Sequence, residues 1–363
     1  MWRDTKTASL TRMIFFSIGL PGRFAEWCDA VIFRLAQRAL GPVELVSLNT
    51  LDELALAMIR TGAPHFVVCA RQPGGGVQTS LAQAARRCIY VLDEPRAALR
   101  DLATRPGFDL VTATRAVASS CASILSCAAL PEALVLSGAK YGHDPISTAT
   151  MIARHLELDV GGDEIESIVA VLRDEGVVPL PADDDAWWDS LEERQQALVN
   201  GALGAYVDHF AGGDFGKITW ERELFFISEE PATHEPIPAS RPVDITGRIR
   251  FLVYGPFINL PPGSWSASVI LGFSPEAAGM TYIVEVFAGT QLTHVRVEPG
   301  NERIFEANLH FSIEAAVDHP VQIRVHNERP AFDGRLAVGY VTMMPHASVR
   351  GDARTYLATV LSK

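Results

Sequence analysis

The sequence predicts two unlike domains in a chain of 363 residues: a mostly parallel, three-layer α/β sheet domain over 1–227 and an antiparallel, jelly-roll-like β-sandwich over 243–363. Three observations predict this. Short apolar runs alternate with helical patterns in the first half, the mark of βαβ units. From Val243 apolar residues recur at every second position, the mark of strands with one buried face. Between the two, residues 228–242 hold Pro231, Pro236, Pro238 and Pro242 among several acids and read as a linker.

In the first domain the strand candidates are 13–18, 43–47, 65–70, 87–92, 108–112 and 133–137. The helix candidates are 26–40, 51–61, 77–86, 95–103, 114–129, 145–157 and 162–174. Asn49 or Thr50 caps the second helix, with Asp52 and Glu53 in its first turn. Gln72-Pro73-Gly74-Gly75-Gly76 is a loop at a strand's carboxyl end, either a site lid or a long turn, with the turn favoured. A helical extension over 183–210 opens on Asp183-Asp184-Asp185. Beside Trp187-Trp188 these acids read as a negatively charged helix start, not as metal ligands, because no second cluster lies at ligand spacing. A strand-like run from Ile218 to Ile227 ends the first domain.

The segment Ile18-Gly19-Leu20-Pro21-Gly22-Arg23-Phe24-Ala25-Glu26-Trp27 joins an apolar strand to a helix, the setting in which backbone N–H groups and a helix N-terminus cradle a phosphate. It resembles the loop of the P-loop sulfotransferases, roughly Gly-Tyr-Pro-Lys-Ser-Gly-Thr-Thr-Trp, with Gly19, Pro21 and Trp27 in register. The family's lysine falls on Gly22, its serine on Arg23, its glycine on Phe24 and its threonines on Ala25 and Glu26. Tyr90-Val91-Leu92-Asp93-Glu94-Pro95-Arg96 is similar to the family's Tyr-Val-x-Arg-Asn/Asp-Pro-Arg/Lys. There the arginine that binds the donor's 3′-phosphate falls on Asp93 and its partner serine on Asp101. The catalytic histidine falls on Arg71, at the end of Phe66-Val67-Val68-Cys69-Ala70. The resemblance covers residues 13–175 and implies a P-loop-type sheet.

Charge decides what these replacements mean. Glu26, Asp93, Glu94 and Asp101 repel a diphosphate donor, and Phe24 crowds the approach that a glycine allows. Gly19, Pro21, Gly22, Arg23, Arg71 and Arg96 remain as residual anion or nucleotide-loop candidates. No catalytic residue is assigned, and no cofactor is expected. An active enzyme of this family would take 3′-phosphoadenosine 5′-phosphosulfate.

In the second domain Trp265, Ala267, Val269, Leu271 and Phe273 share one face of a strand, and Phe305, Ala307, Leu309, Phe311 and Ile313 another. Val321, Ile323 and Val325 alternate with Gln322, Arg324 and His326. Strand candidates are 243–253, 256–260, 264–273, 281–288, 291–297, 303–313, 321–327 and 335–343, a spacing that makes a sandwich. The run from Tyr254 to Trp265 is similar to a Tyr-Gly-Pro-Tyr-x-x-Leu-Pro-x-Gly-x-Tyr signature of sandwich modules in bacterial glycosyltransferases and polysaccharide proteins. Tyr254, Phe257, Asn259, His310, Arg324 and His326 are the glycan-binding candidates, with the last three in one polar stripe; Trp265 continues an apolar face and belongs to the core.

A net charge of −12 argues against nonspecific nucleic-acid binding and against an anionic membrane surface. Cysteines 28, 69, 88, 121 and 127 lack metal or Cys-x-x-Cys spacing and read as reduced, buried thiols of a cytoplasmic protein. Met13 to Leu20 mimics a signal peptide but is short and late, and reads as the first strand. No run approaches the ~20 apolar residues of a membrane span. The expected function is a noncatalytic sulfotransferase-like scaffold with a glycan-recognising sandwich, acting in bacterial surface-polysaccharide synthesis or modification. The alternatives are an active glycan sulfotransferase or related nucleotide-dependent transferase, and a structural interaction or oligomerisation protein. The oligomeric state is open.

Overall fold

The computed structural model describes residues 12–83, 88–127, 133–179, 185–228, 236–300, 303–314 and 319–346. Contacts divide the chain into a first unit, within 1–19, 23–93 and 130–181, and a second, within 20–22, 94–129 and 182–363.

In chain order the first half runs β1 (Met13–Gly19), α1 (Arg23–Leu40), β2 (Val43–Ser47), α2 (Leu51–Thr61), β3 (His65–Ala70), α3 (Gly75–Gln83), β4 (Cys88–Leu92), α4 (Pro95–Ala103), α5 (Leu110–Cys127), β5 (Leu134–Ser137), α6 (Gly138–Tyr141), α7 (Pro145–His155) and α8 (Gly162–Asp174). Strands β1 to β5 form the expected parallel sheet, in the order β2-β3-β1-β4-β5. The strands are short apolar runs because the sheet's faces are covered by helices. Phe24, Trp27, Val31, Ile32 and Leu35 of α1 pack into that core with Ile152 of α7 and Ile165 and Leu172 of α8. Arg34 bridges to Glu175 at 2.9 Å and Arg38 Nε to Glu164 at 2.7 Å, holding α1 beside α8 on the solvent side. Thr50 and Glu53 form a reciprocal capping box at α2, as the sequence predicts. The expected strand 108–112 is instead the start of α5: the Asp109 carboxylate accepts from Thr112 N at 2.6 Å, an N-cap that outweighs the apolar pair Leu110-Val111.

The rest runs α9 (Asp185–Asp189), α10 (Glu193–Phe210), β6 (Ile218–Glu221), β7 (Phe226–Ile227), β8 (Ile237–Pro238), β9 (Val243–Asp244), β10 (Phe251–Tyr254), β11 (Pro256–Ile258), β12 (Gly263–Phe273), β13 (Tyr282–Ala288), β14 (Thr290–Val297), β15 (Ile304–Ile313), β16 (Val321–Asn327) and β17 (Arg335–Pro345). Two antiparallel sheets make the sandwich. One orders β14-β13-β16-β10-β7-β8 with β11 on β16; the other orders β15-β12-β17-β6 with β9 on β17. Trp265, Val269 and Leu271 of β12 and Val321, Ile323 and Val325 of β16 point inward, as the alternation predicts.

The boundary at residue 227 needs correction. β6 pairs with β17 and β7 with β10, so the run from Ile218 to Ile227 completes the sandwich, and β8 lies within the expected linker. Alternation shows that a run is a strand but not which sheet it joins. Helices α4, α5 and α10 belong to this unit too. α10 lies so close to β6 that a Cβ on Gly201 would stand 2.7 Å from the Thr219 carbonyl, which is why that helix carries glycine there.

His155, half-buried, and His209, buried, are expected to make the fold acid-sensitive. His155 Nε2 meets the Cys88 carbonyl at 3.1 Å and His209 Nδ1 the Gly213 carbonyl at 3.2 Å; burial holds both imidazoles below their ordinary value. Neutral in the folded chain, they contribute stability that is present above about pH 6.5 and lost as pH falls through their lowered values. We expect the melting temperature to drop between about pH 7 and about pH 5, and His155→Gln to flatten that slope; an equal slope in the variant would contradict the assignment.

Candidate functional site

The carboxyl ends of β1 and β4 mark where the sheet's connections diverge, the place where open α/β sheets bind ligands. Here that place is filled. A Cβ on Gly19 would lie 2.8 Å from the Val91 carbonyl, so this glycine serves the close passage of β1 beside β4. Phe24, 1% exposed, stacks on Trp27 with centroids 6.0 Å apart. The same ring and the Asp93 carboxylate crowd Gly138 at the end of β5, where an added Cβ would meet them at 3.3 and 2.9 Å. Pro21 leads a tight turn in which Gly22 N donates to the Leu20 carbonyl at 2.8 Å, so that amide is spent inside the loop. Arg23 is exposed.

Arg71, at the end of β3, is not a free cation. Its guanidinium pairs with the buried Asp29 of α1, which also accepts from Ser17 Oγ at 2.5 Å. Burial, and then Asp29, push the thiols of Cys28 and Cys69 upward, so neither is a thiolate nucleophile. A guanidinium cannot serve as the general base that a histidine would be at this position. Arg71 Nη1 is buried without a hydrogen-bond partner. Arg96 belongs to the second unit. It lies 4.7 Å above the Trp188 ring and donates to Asn200 Oδ1 at 2.9 Å. Among the described residues no group of three or more His, Cys, Asp or Glu could hold a metal ion. Asp183 and Asp184 lie outside the described residues.

The six glycan candidates separate in the sandwich. Tyr254 stacks on Phe226 at 5.6 Å and meets Phe257 at 6.1 Å, and Arg115 of α5 lies over the same Phe226 ring at 4.2 Å. Asn259 N donates to Ser119 Oγ at 3.1 Å and its Nδ2 to Ser123 Oγ at 3.3 Å, both on α5. Within this run Tyr254 and Asn259 are half-buried, and Phe257 is 38% exposed. His310 stands on β15, in the other sheet, with its ring 5.8 Å from His346; it shares no stripe with Arg324 and His326. Period two gives each strand's faces but not which strands become neighbours.

Arg324 and His326 do come together, on the outer side of β16. The register sets His326 beside Ile283 and Phe251, Arg324 beside Glu285, and Gln322 beside Phe287. The Arg324 guanidinium lies 3.4 Å over the Phe287 ring and 5.4 Å from Phe251, with Glu285 at 3.6 Å and Gln322 Oε1 at 3.0 Å. Phe251, 45% exposed, meets His326 edge-on at 5.4 Å. The outcome is a cluster, the platform, of two phenyl rings, a guanidinium and an imidazole on one face of the sheet, with Phe251 exposed and the Glu285 carboxylate buried behind Arg324. Sequence reasoning missed Phe251, Glu285, Gln322 and Phe287, although Phe287 and Glu285 share a parity opposite to the core residues Val284 and Val286 of β13.

No family model matches the chain, and no curated protein matches it. Solved structures similar to it include mouse sulfotransferase SULT7A1 complexed with PAP, at 14% identity over 48% of this chain and 68% of that one, TM-score 0.35. Retinol dehydratase in a complex with retinol and PAP is similar at 10% identity over 54% and 81%, TM-score 0.33. The xylan-binding module CBM15 is similar at 13% identity over 36% of this chain and 97% of the module, TM-score 0.27. Scores this low transfer no residue role to this chain.

Proposed function

We propose that the chain is a noncatalytic sulfotransferase-like scaffold whose sandwich recognises a glycan in bacterial surface-polysaccharide synthesis or modification. The observation that carries this is the platform around Arg324. Sugars present C–H faces, which pack on aromatic rings, and hydroxyls, which bond to planar polar groups; both partners stand side by side here. Each anchor contributes about 1 kcal/mol, so affinity grows with the number of sugars engaged. The bacterial setting rests on the resemblance of the Tyr254–Trp265 run alone. A glycan array followed by pull-down on the polysaccharide it selects tests the reading with the full chain. Retention is expected, stronger for polymer than for short oligosaccharides, and Phe251→Ala weakens it about tenfold. A folded chain that no polysaccharide retains leaves the interaction-protein reading in front.

The noncatalytic half of the reading is supported by the packed Phe24 ring, the spent Gly22 amide and the Asp29-bound Arg71. Calorimetry with 3′-phosphoadenosine 5′-phosphosulfate, or with its desulfated product, is expected to show nothing tighter than about millimolar. One observation favours the transferase alternative: the unpartnered Arg71 Nη1 could meet an anion. Micromolar binding lost in Arg96→Ala or Arg71→Gln would establish that alternative.

A further inference from the structure

Two segments of the second unit, residues 94–100 and 187–189, enclose a cleft of about 530 Å³ lined by Glu94, Arg96, Arg100, Trp187, Trp188 and Asp189. Its size is within the range of small-molecule sites, about 300–1,000 Å³. Both tryptophans are half-buried, their rings 6.5 Å apart and tilted by 51°. We propose that this cleft binds a neutral sugar unit of a glycan, as a site separate from the sheet platform.

The charges select against ions. Arg100 is buried and bonded to Asp101 at 2.9 Å, and Arg96 is held by Trp188 and Asn200. An anion entering would still meet Glu94 and Asp189, and a cation both guanidinium groups. The Glu94 carboxylate caps α4, accepting from Ala97 N at 2.7 Å. A neutral ligand with hydroxyls can accept from the guanidinium groups and donate to the carboxylates without leaving a charge unpaired. The tilt of the two indoles suits a puckered ring resting on one of them more than a flat base sandwiched between parallel faces. Arg96 covers one face of Trp188, so Trp187 carries the stacking.

Tryptophan fluorescence of the full chain tests this, because Trp27, Trp220 and Trp265 are fully buried, and Trp2, outside the described residues, is replaced by Trp2→Phe in every chain measured. The probes are cellohexaose, maltohexaose, xylohexaose and β-1,4-galactotriose at millimolar concentration, with inorganic sulfate as the anion control. At least one oligosaccharide is expected to shift the emission to the blue and to protect it from acrylamide. Trp187→Ala and Arg96→Ala each weaken that response about tenfold. The Arg324→Ala chain, which lacks the platform, still responds, so the two sites fail separately. Should Trp187→Ala not fold, Arg96→Ala and Asp189→Asn carry the test. No response to any oligosaccharide, a response to sulfate alone, or a response that survives the cleft substitutions overturns the proposal.

Discussion

Trp265→Ala lowers the stability of the second unit by about 3–5 kcal/mol, the cost of truncating a fully buried aromatic side chain. The indole is 0% exposed on β12, its ring stands edge-on to Phe215 at 6.0 Å, and its Nε1 donates to the Pro261 carbonyl at 3.0 Å. Removal forfeits the buried area, leaves a cavity between two sheets and orphans that carbonyl. Urea unfolding followed by near-ultraviolet circular dichroism measures the loss. A change below about 1 kcal/mol would mean that the sandwich collapses around the site, contrary to the tight inward alternation of β12.

Asp29→Ala destabilises the first unit by about 3–5 kcal/mol, because it strands the Arg71 guanidinium in the interior. The two side chains are 10% and 18% exposed, so solvent screens little of the loss. Ser17 and Cys69 lose an acceptor at the same time. Replacing both ends, as Asp29→Leu with Arg71→Leu, recovers most of the stability if the pair is structural, since a buried ion pair and a packed apolar pair of similar volume are close in free energy. A double variant that is as unstable as Asp29→Ala would contradict that assignment.

Much of this fold is legible in the chain. Helix α2 follows from Thr50, Asp52 and Glu53, and α4 from Glu94-Pro95, because caps are local and need no partner. The inward faces of β12 and β16 follow from period two for the same reason. What escaped is set by long-range choices. Ile218-Thr219-Trp220 has the pattern of any strand, and only the pairing with β17 places it in the sandwich. The same limit explains the glycan candidates: Arg324 and His326 were legible as outward polar positions, whereas their neighbours Phe251 and Phe287 are supplied by the register of β10 and β13. At the loop from Gly19 to Trp27 the substitutions were legible and the packing was not, since a sequence does not show where the Phe24 ring goes. A fragment starting near residue 240 would lack β6, β7 and β8 and so cut both sheets, which is why every test above uses the full chain.

The central claim is that polysaccharide is retained through the platform around Arg324 and not through the loop from Gly19 to Trp27. Hydroxyl-radical footprinting of the full chain, with and without the polysaccharide that it retains, reads both places in one measurement. The account predicts that oxidation of Phe251, Phe287 and His326 falls when the polysaccharide is bound, while the peptide carrying Gly19 to Trp27 is unchanged. Protection of that peptide, with Phe251 and His326 oxidised as before, would contradict it.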